Sequence, residues 1–293
     1  MLKLNKCISI SFICILIPFI FLGCSSDNGT FITPTITPDL FAVTPNPYYG
    51  KHPYQDIINA VKAIQPAKAP DHLATHDGQR TSDDFDISEY FTILTNISVK
   101  EGYTLDYVYH FDGSAGYPVF YIRELSQEPY PDDDDLYNDI GLTSAYQNHD
   151  EELQQSIESG ETLNWQKSIV VNDTEQGFFE YLILKIIGGQ FYLWWHGGYN
   201  DLTFVCNHSA VQAVITEVQK YYKISADTIY AASQLDLSPK VEFTDDIVTI
   251  SAVFFTKWGG FRQGTFTISR DFPHIIISTE WETLVEYDCG GVI

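Results

Sequence analysis

"YTLDYVYHF", residues 103–111, decides how this chain reads. Tyr103, Leu105, Tyr107, Tyr109 and Phe111 alternate with Thr104, Asp106, Val108 and His110. Successive side chains on a strand point to opposite faces, so this period of two predicts one buried row and one largely wet row. That is the pattern of an antiparallel sheet packed on one side. "DGSAG" at 112–116 then turns the chain into a second strand, Tyr117–Glu124. Further strands are expected at Trp165–Val171, Phe178–Ile187, Phe191–His196 and Leu202–Cys206, and again at 247–255, 261–270 and 274–287. In the last of these, Ile275, Ile277, Trp281, Val285 and Tyr287 mark the expected buried side.

Helical spacing is rarer. Ile57, Ile58, Val61 and Ile64 share a face after Pro53, which predicts a helix near 53–65. Val211, Val214, Ile215, Val218 and Tyr222 form a stripe opposed by Gln212, Glu217 and Lys220, predicting a second helix over 209–222. A third is expected near 144–159, ending at Gly160. Strands in runs with few helices between them predict an α+β fold, with twisted antiparallel sheet packed by about three helices and a C-terminal β-meander. Residues 51–293 read as one globular domain, in which 224–293 could form a β sub-domain.

The amino-terminal residues address the chain. Lys3 and Lys6 precede an apolar run from Ile8 to Leu22, which stops at Gly23-Cys24. A short apolar run after a basic start is a secretory signal rather than a membrane span. Its ending on a small residue and then Cys resembles the lipobox of bacterial lipoproteins. The resemblance covers residues 1–24 only and says nothing of the globular fold. It implies cleavage after residue 23, acylation of Cys24, and a chain held on a cell-envelope membrane outside the cytoplasm. The lipid bilayer is then the first expected partner, and residues 24–50, rich in Thr and Pro, are a tether that spaces the domain from its anchor.

Composition narrows the other partners. The 293 residues carry a formal charge of −23, and loss of Lys3 and Lys6 with the signal leaves the chain more acidic still. Phosphate polyanions are repelled by such a surface, which argues against nucleic acid. Cys7 and Cys14 leave with the signal, so Cys206 and Cys289 remain as a pair that could form a disulfide in an oxidising compartment or stay as buried thiols.

No G-x-S-x-G elbow, H-E-x-x-H pair, P-loop or dinucleotide fingerprint occurs, and no cofactor is expected. "DHLATHD" brings His72 and His76 close to Asp71 and Asp77, a weak metal candidate inside a long polar loop at 71–88. Asp132 to Asp135 could offer oxygens to calcium, although the spacing lacks EF-hand register and fits a solvated acidic loop better. His110 shares a strand face with Asp106 and could do acid–base work. The densest signal is "QFYLWWHGGYND", residues 190–201. On a strand, Phe191, Leu193 and Trp195 would face the core. Tyr192, Trp194 and His196 would form an amphipathic row, either a groove wall that stacks on a ligand or a face covered by a helix. Asp201 would add a carboxylate at the rim. The leading expectation is a membrane-anchored envelope lipoprotein that binds a glycan, peptide or protein without catalysis. The alternatives are an envelope hydrolase using His110 and His196 with carboxylates, and a metal-binding lipoprotein.

Overall fold

The structure, a computed structural model, describes residues 54–141 and 162–290. The signal, Cys24, the Thr/Pro-rich tether and the helix expected at 144–159 lie outside the described residues. Within them the fold is α+β, as expected, and every strand pairing is antiparallel.

Six α-helices lie among the described residues: α1 Tyr54–Ile64, α2 Tyr90–Ile93, α3 Asp133–Asp139, α4 Glu175–Ile187, α5 His208–Gln219 and α6 Ala226–Ser233. No helix among them is long and apolar enough to cross a membrane. The strands are β1 Ile97–Val99, β2 Tyr103–Phe111, β3 Ala115–Glu124, β4 Ile169–Val171, β5 Trp194–Trp195, β6 Thr203–Phe204, β7 Lys240–Phe243, β8 Ile247–Thr256, β9 Gly260–Ser269 and β10 Ile276–Val285. They form a β1–β4 pair, a β2–β3–β5 sheet, and a larger sheet ordered β10–β9–β8–β6, with β7 on the same edge of β8 as β6.

Helix α4 occupies the middle of the main core, where a strand at Phe178–Ile187 was expected. Thr174 caps it by accepting from the Gly177 amide at 3.0 Å, and Glu175 sits favourably in the first turn. Phe178, Phe179, Tyr181, Leu182, Ile183, Leu184 and Ile187 are all buried, as is Glu180 among them, so the helix has no continuous polar face. Periodicity cannot separate such a helix from a buried strand, and the cap is what decides. The strand expected at 165–171 is likewise a single 3₁₀ turn, Trp165–Ser168, followed by the short β4.

The β2–β3 hairpin has the expected unbroken register, from Tyr103 opposite Glu124 to Phe111 opposite Gly116. Its second face is not wet. Val108 and Tyr121 pack on Leu136 and Tyr137 of α3 and on Leu163. Asp106 is buried between Arg80 and Arg123, accepting from Arg123 Nε at 2.9 Å and from Arg80 Nη1. Arg80 thereby fastens the 71–88 loop to the sheet. The acidic run that could have been a calcium loop is the start of α3. Asp132 caps it by accepting from the Asp135 amide at 2.9 Å, and Asp133, Asp134 and Asp135 lie at the positive end of the helix dipole.

The C-terminal meander β8–β9–β10 forms as expected, with β7 added before it. One face, including Val248, Ile250, Phe254, Phe266 and Ile268, belongs to the same core as α4. The other face, including Val253, Phe255, Phe261 and Val285, packs on α5 and α6. The meander therefore shares its core with the rest of the chain instead of closing on itself. In β10 a register shift between Ile276 and Ser278 inserts an extra residue. The bulge turns Ile275 and Ile277 outward, contrary to expectation, while Val285 and Tyr287 stay buried and Trp281 stays packed against the core. Cys206 packs against the main core and Cys289 against the smaller cluster under α5 and α6. They lie in different packing environments, and both are free thiols rather than the disulfide that was considered.

Candidate functional site

The aromatic stretch at 190–201 leaves the core, crosses a sheet edge and ends beside the meander. Phe191 and Tyr192 are both buried. Tyr192 has φ +55, its hydroxyl accepts from the Phe85 amide at 3.3 Å, and its carbonyl accepts from the Tyr109 hydroxyl at 2.7 Å. It braces the core and cannot be a platform. Trp194 and Trp195 then pair with Gly116 and Ala115 at the edge of β3. Trp195, expected in the core, has φ +36 and is 71% exposed, whereas Trp194 is 40% exposed. Two positive φ values in four residues break the pleat, so the expected alternation of faces does not hold. Non-glycine residues rarely occupy this region, and it persists only where surrounding contacts impose it.

His196–Tyr199 form a 3₁₀ turn. A Cβ on Gly197 would lie 2.3 Å from the Gly116 carbonyl oxygen, so glycine is required for the turn to press against β3. Gly198 meets nothing within 4 Å. The rings that follow form a continuous ladder. Trp195 and His196 are stacked at 4.9 Å and 12°, whereas His196 meets Tyr199 edge-on at 5.1 Å and 61°, and Tyr199 meets Trp258 edge-on at 5.4 Å and 81°, so the rings touch in series without sharing a plane. Trp258 sits in the β8–β9 turn, "TKWGG".

Between these rings lies a cleft of about 300 Å³ lined by Tyr199, Asp201, Trp258, Arg262 and Trp281, among others. A second, of about 440 Å³, shares Trp258 and adds Glu286, Tyr287 and Asp288. The walls are held firmly. Asp201 accepts from Thr256 Oγ1 at 2.6 Å and from the Lys257 amide at 3.0 Å, so the expected rim carboxylate also latches the loop to the turn. Gln190 steadies the same loop, donating to the Leu202 carbonyl at 2.9 Å while accepting from Lys62 Nζ at 2.5 Å. Burial of Lys62 pushes its pKa down, and the nearby charge of Asp201 opposes that shift. Trp281 stands opposite Gly264, where any Cβ would lie 2.9 Å from the indole.

Arg262 lies 5.1 Å from the Trp281 ring centroid, and Lys257 lies 5.0 Å from that of Trp258. Among the described residues, the Arg262 guanidinium makes no hydrogen bond or ion pair. Its Nε is buried without a partner, and both Arg262 and Asp201 line the cleft. The cleft therefore offers flat apolar faces, one carboxylate with lone pairs to spare, one guanidinium with free donors and the Tyr199 hydroxyl.

The other candidates fare differently. His110 Nδ1 lies 2.5 Å from Asp133 Oδ2, a pairing with α3 that the Asp106 expectation missed, and neither residue lines the two clefts. Among the described residues, His196 has no carboxylate or hydroxyl within hydrogen-bond reach. His72 Nε2 bonds Asp84 Oδ2 at 3.0 Å and His76 sits edge-on to Phe111, so the two imidazoles do not converge. Among the described residues, no group of three or more His, Cys, Asp or Glu side chains is placed to hold a metal ion.

No protein family, curated protein or solved structure matches this chain. The site's chemistry has to carry the functional reading.

Of the residues singled out beforehand, His196 lies on the ladder and Asp201 lines the cleft, whereas Trp194 packs against Phe111 and Tyr192 is buried in the core. Tyr199, Trp258, Arg262 and Trp281 were missed as site residues. The signal that could have found Trp258 is a large indole in a glycine-containing hairpin turn, a position where burial does not require one.

Proposed function

We propose that this chain is an extracytoplasmic binding module of the cell envelope, lipid-anchored through Cys24, whose ligand seat is the cleft between Tyr199, Trp258 and Trp281. The observation that carries the seat is a partly exposed aromatic wall with an unpaired guanidinium and a latched carboxylate inside one concavity. Binding sites pair apolar walls with a few oriented polar groups in this way. Positive φ at an exposed tryptophan supports the same reading, since backbone strain gathers where a surface is held ready for a ligand. The anchor rests on the lipobox-like residues alone. Binding without chemistry fits the cleft better than hydrolysis, because its aromatic and charged groups include no imidazole or nucleophile paired with a base.

Two measurements test it. Indole fluorescence of the full chain should change when separated polysaccharide or polypeptide fractions of the source cells' exterior are added, and Trp258→Ala should remove the change. A response that survives Trp258→Ala would move the seat elsewhere. Separately, the wild-type chain should partition into detergent and Cys24→Ala into water.

A further inference from the structure

We infer that the open edge of β10 is a docking strand for an extended, basic polypeptide segment, which pairs with Ser278–Thr283 as one further strand of the meander sheet. This surface goes beyond the cleft and does not depend on it. Its partner is identified by backbone and by charge.

The edge comes first. Among the described residues β10 pairs with β9 alone, and it ends the sheet order β10–β9–β8–β6. Register shifts lie between Ile276 and Ser278 and between Thr283 and Val285, so Ser278–Thr283 runs unbroken against Thr267–Arg262. Every residue from Ser278 to Thr283 except Trp281 is exposed, which leaves the strand uncovered on both faces. Alternate backbone N–H and C=O groups of such a strand point away from its one neighbour, ready for another strand. The long edge of the smaller sheet, β2, is closed by contrast. Its central residues are buried, and Arg80 donates to the Tyr107 carbonyl.

Charge then selects the occupant. Exposed edges are commonly guarded by Pro or Lys, and β10 has neither. Its only charged residues are Glu280 and Glu282, on one face with Ser278. Among the described residues neither glutamate makes a hydrogen bond or ion pair. Two carboxylates are a selective guard. If β10 paired with a second copy about Trp281, Glu280 would lie opposite the other copy's Glu282, and like charges directly opposite destabilise. The −23 on each chain adds to that repulsion. A strand carrying Lys or Arg at i and i+2 makes both carboxylates attractive instead.

The opposite face sets the residue between. Trp281 is half-buried, edge-on to Phe254 and Phe266, and shares its face with Thr279 and Thr283. An apolar side chain paired with Trp281 lies against the indole and prolongs the core face. The segment is therefore basic, apolar, basic in extended form. Strand addition draws affinity from the main chain and specificity from alternate side chains in this way.

Fluorescence anisotropy on the purified full chain tests this with three labelled peptides. One alternates Lys and Val, the second alternates Glu and Val, and the third is the Lys–Val peptide fully N-methylated, which keeps the charge and removes every backbone donor. The Lys–Val peptide should bind at least about tenfold more tightly than either of the others. Glu280→Gln with Glu282→Gln should weaken it about tenfold, and Glu280→Lys with Glu282→Lys should reverse the preference to the Glu–Val peptide. Both positions are exposed, so the fold stays in place, and an unchanged melting temperature checks this. Bound Lys–Val peptide should protect the amides of Ser278–Thr283 from hydrogen exchange. The inference is overturned if the N-methylated peptide binds as well, if the glutamine variant binds unchanged, if the lysine variant keeps its preference, or if protection falls outside β10. Loss of peptide binding in Trp258→Ala would put the peptide in the cleft, so that the edge falls and the seat stands. Sedimentation of the free chain as a dimer that the Lys–Val peptide dissociates would make a second copy the occupant and overturn it too.

Discussion

Glu180 shows how a single charged residue is kept inside this core. It is fully buried on α4 and accepts from the Asn96 amide at 2.7 Å, Asn96 Nδ2 at 2.9 Å and Gln176 Nε2 at 2.7 Å. It therefore ties the entry to β1 onto the central helix. Glu180→Ala leaves three donors without their acceptor and should cost about 3 kcal/mol, read from the urea midpoint. His274 sets a pH dependence. Burial beside Phe178 holds its imidazole pKa below the usual 6.5, so the folded state prefers the neutral ring. The unfolded chain takes up the proton more readily, and stability should be full above about pH 6.5 and fall as pH drops through that value. His274→Asn should flatten the acid side of a stability–pH curve, and an unchanged slope would assign the effect elsewhere. Burial also pushes the Cys206 thiol up to about 12. It should resist alkylation at neutral pH in the native chain and react fully once unfolded, as mass spectrometry would show.

At the scale of elements, the central helix and the aromatic turn carry the account. Thr174→Ala removes the α4 cap and should cost about 1 kcal/mol, and Phe179→Ala should cost 3 to 5, each about what such losses cost elsewhere. The double glycine separates into two roles. Gly197→Ala must push the turn off β3, because its Cβ would lie 2.3 Å from the Gly116 oxygen. It should cost about 1 to 3 kcal/mol and displace the ladder, while Gly198→Ala should be silent in both binding and stability. These elements also show what was legible beforehand. The β2–β3 hairpin and the C-terminal meander were readable because alternation and glycine-containing turns agree. Helix α4 was not, since a run such as "FFEYLILKII" has no polar face to reveal its period. The faces at 191–196 were misassigned because left-handed backbone at Tyr192 and Trp195 leaves no mark on residue spacing.

Across the whole molecule, one sheet does two things. The inner face of the meander completes the core around α4, and its β8–β9 turn meets the 196–201 loop to form the cleft. Asp201 was legible as a site residue because it sits in an aromatic-rich stretch. Trp258, Arg262 and Trp281 were not, because they reach the cleft through strand pairing roughly sixty to eighty residues further along the chain. The proposed anchor at Cys24 would hold this cleft outside the cell, facing polymers rather than cytosolic metabolites. Hydrogen exchange on the full chain, with and without the cell-exterior fraction that changes its indole fluorescence, tests the central claim most directly. Residues 194–202 and 256–262 should gain protection together, and Trp258→Ala should lose it in both segments. Protection confined to other surfaces, or unchanged in Trp258→Ala, would contradict the assignment of this cleft.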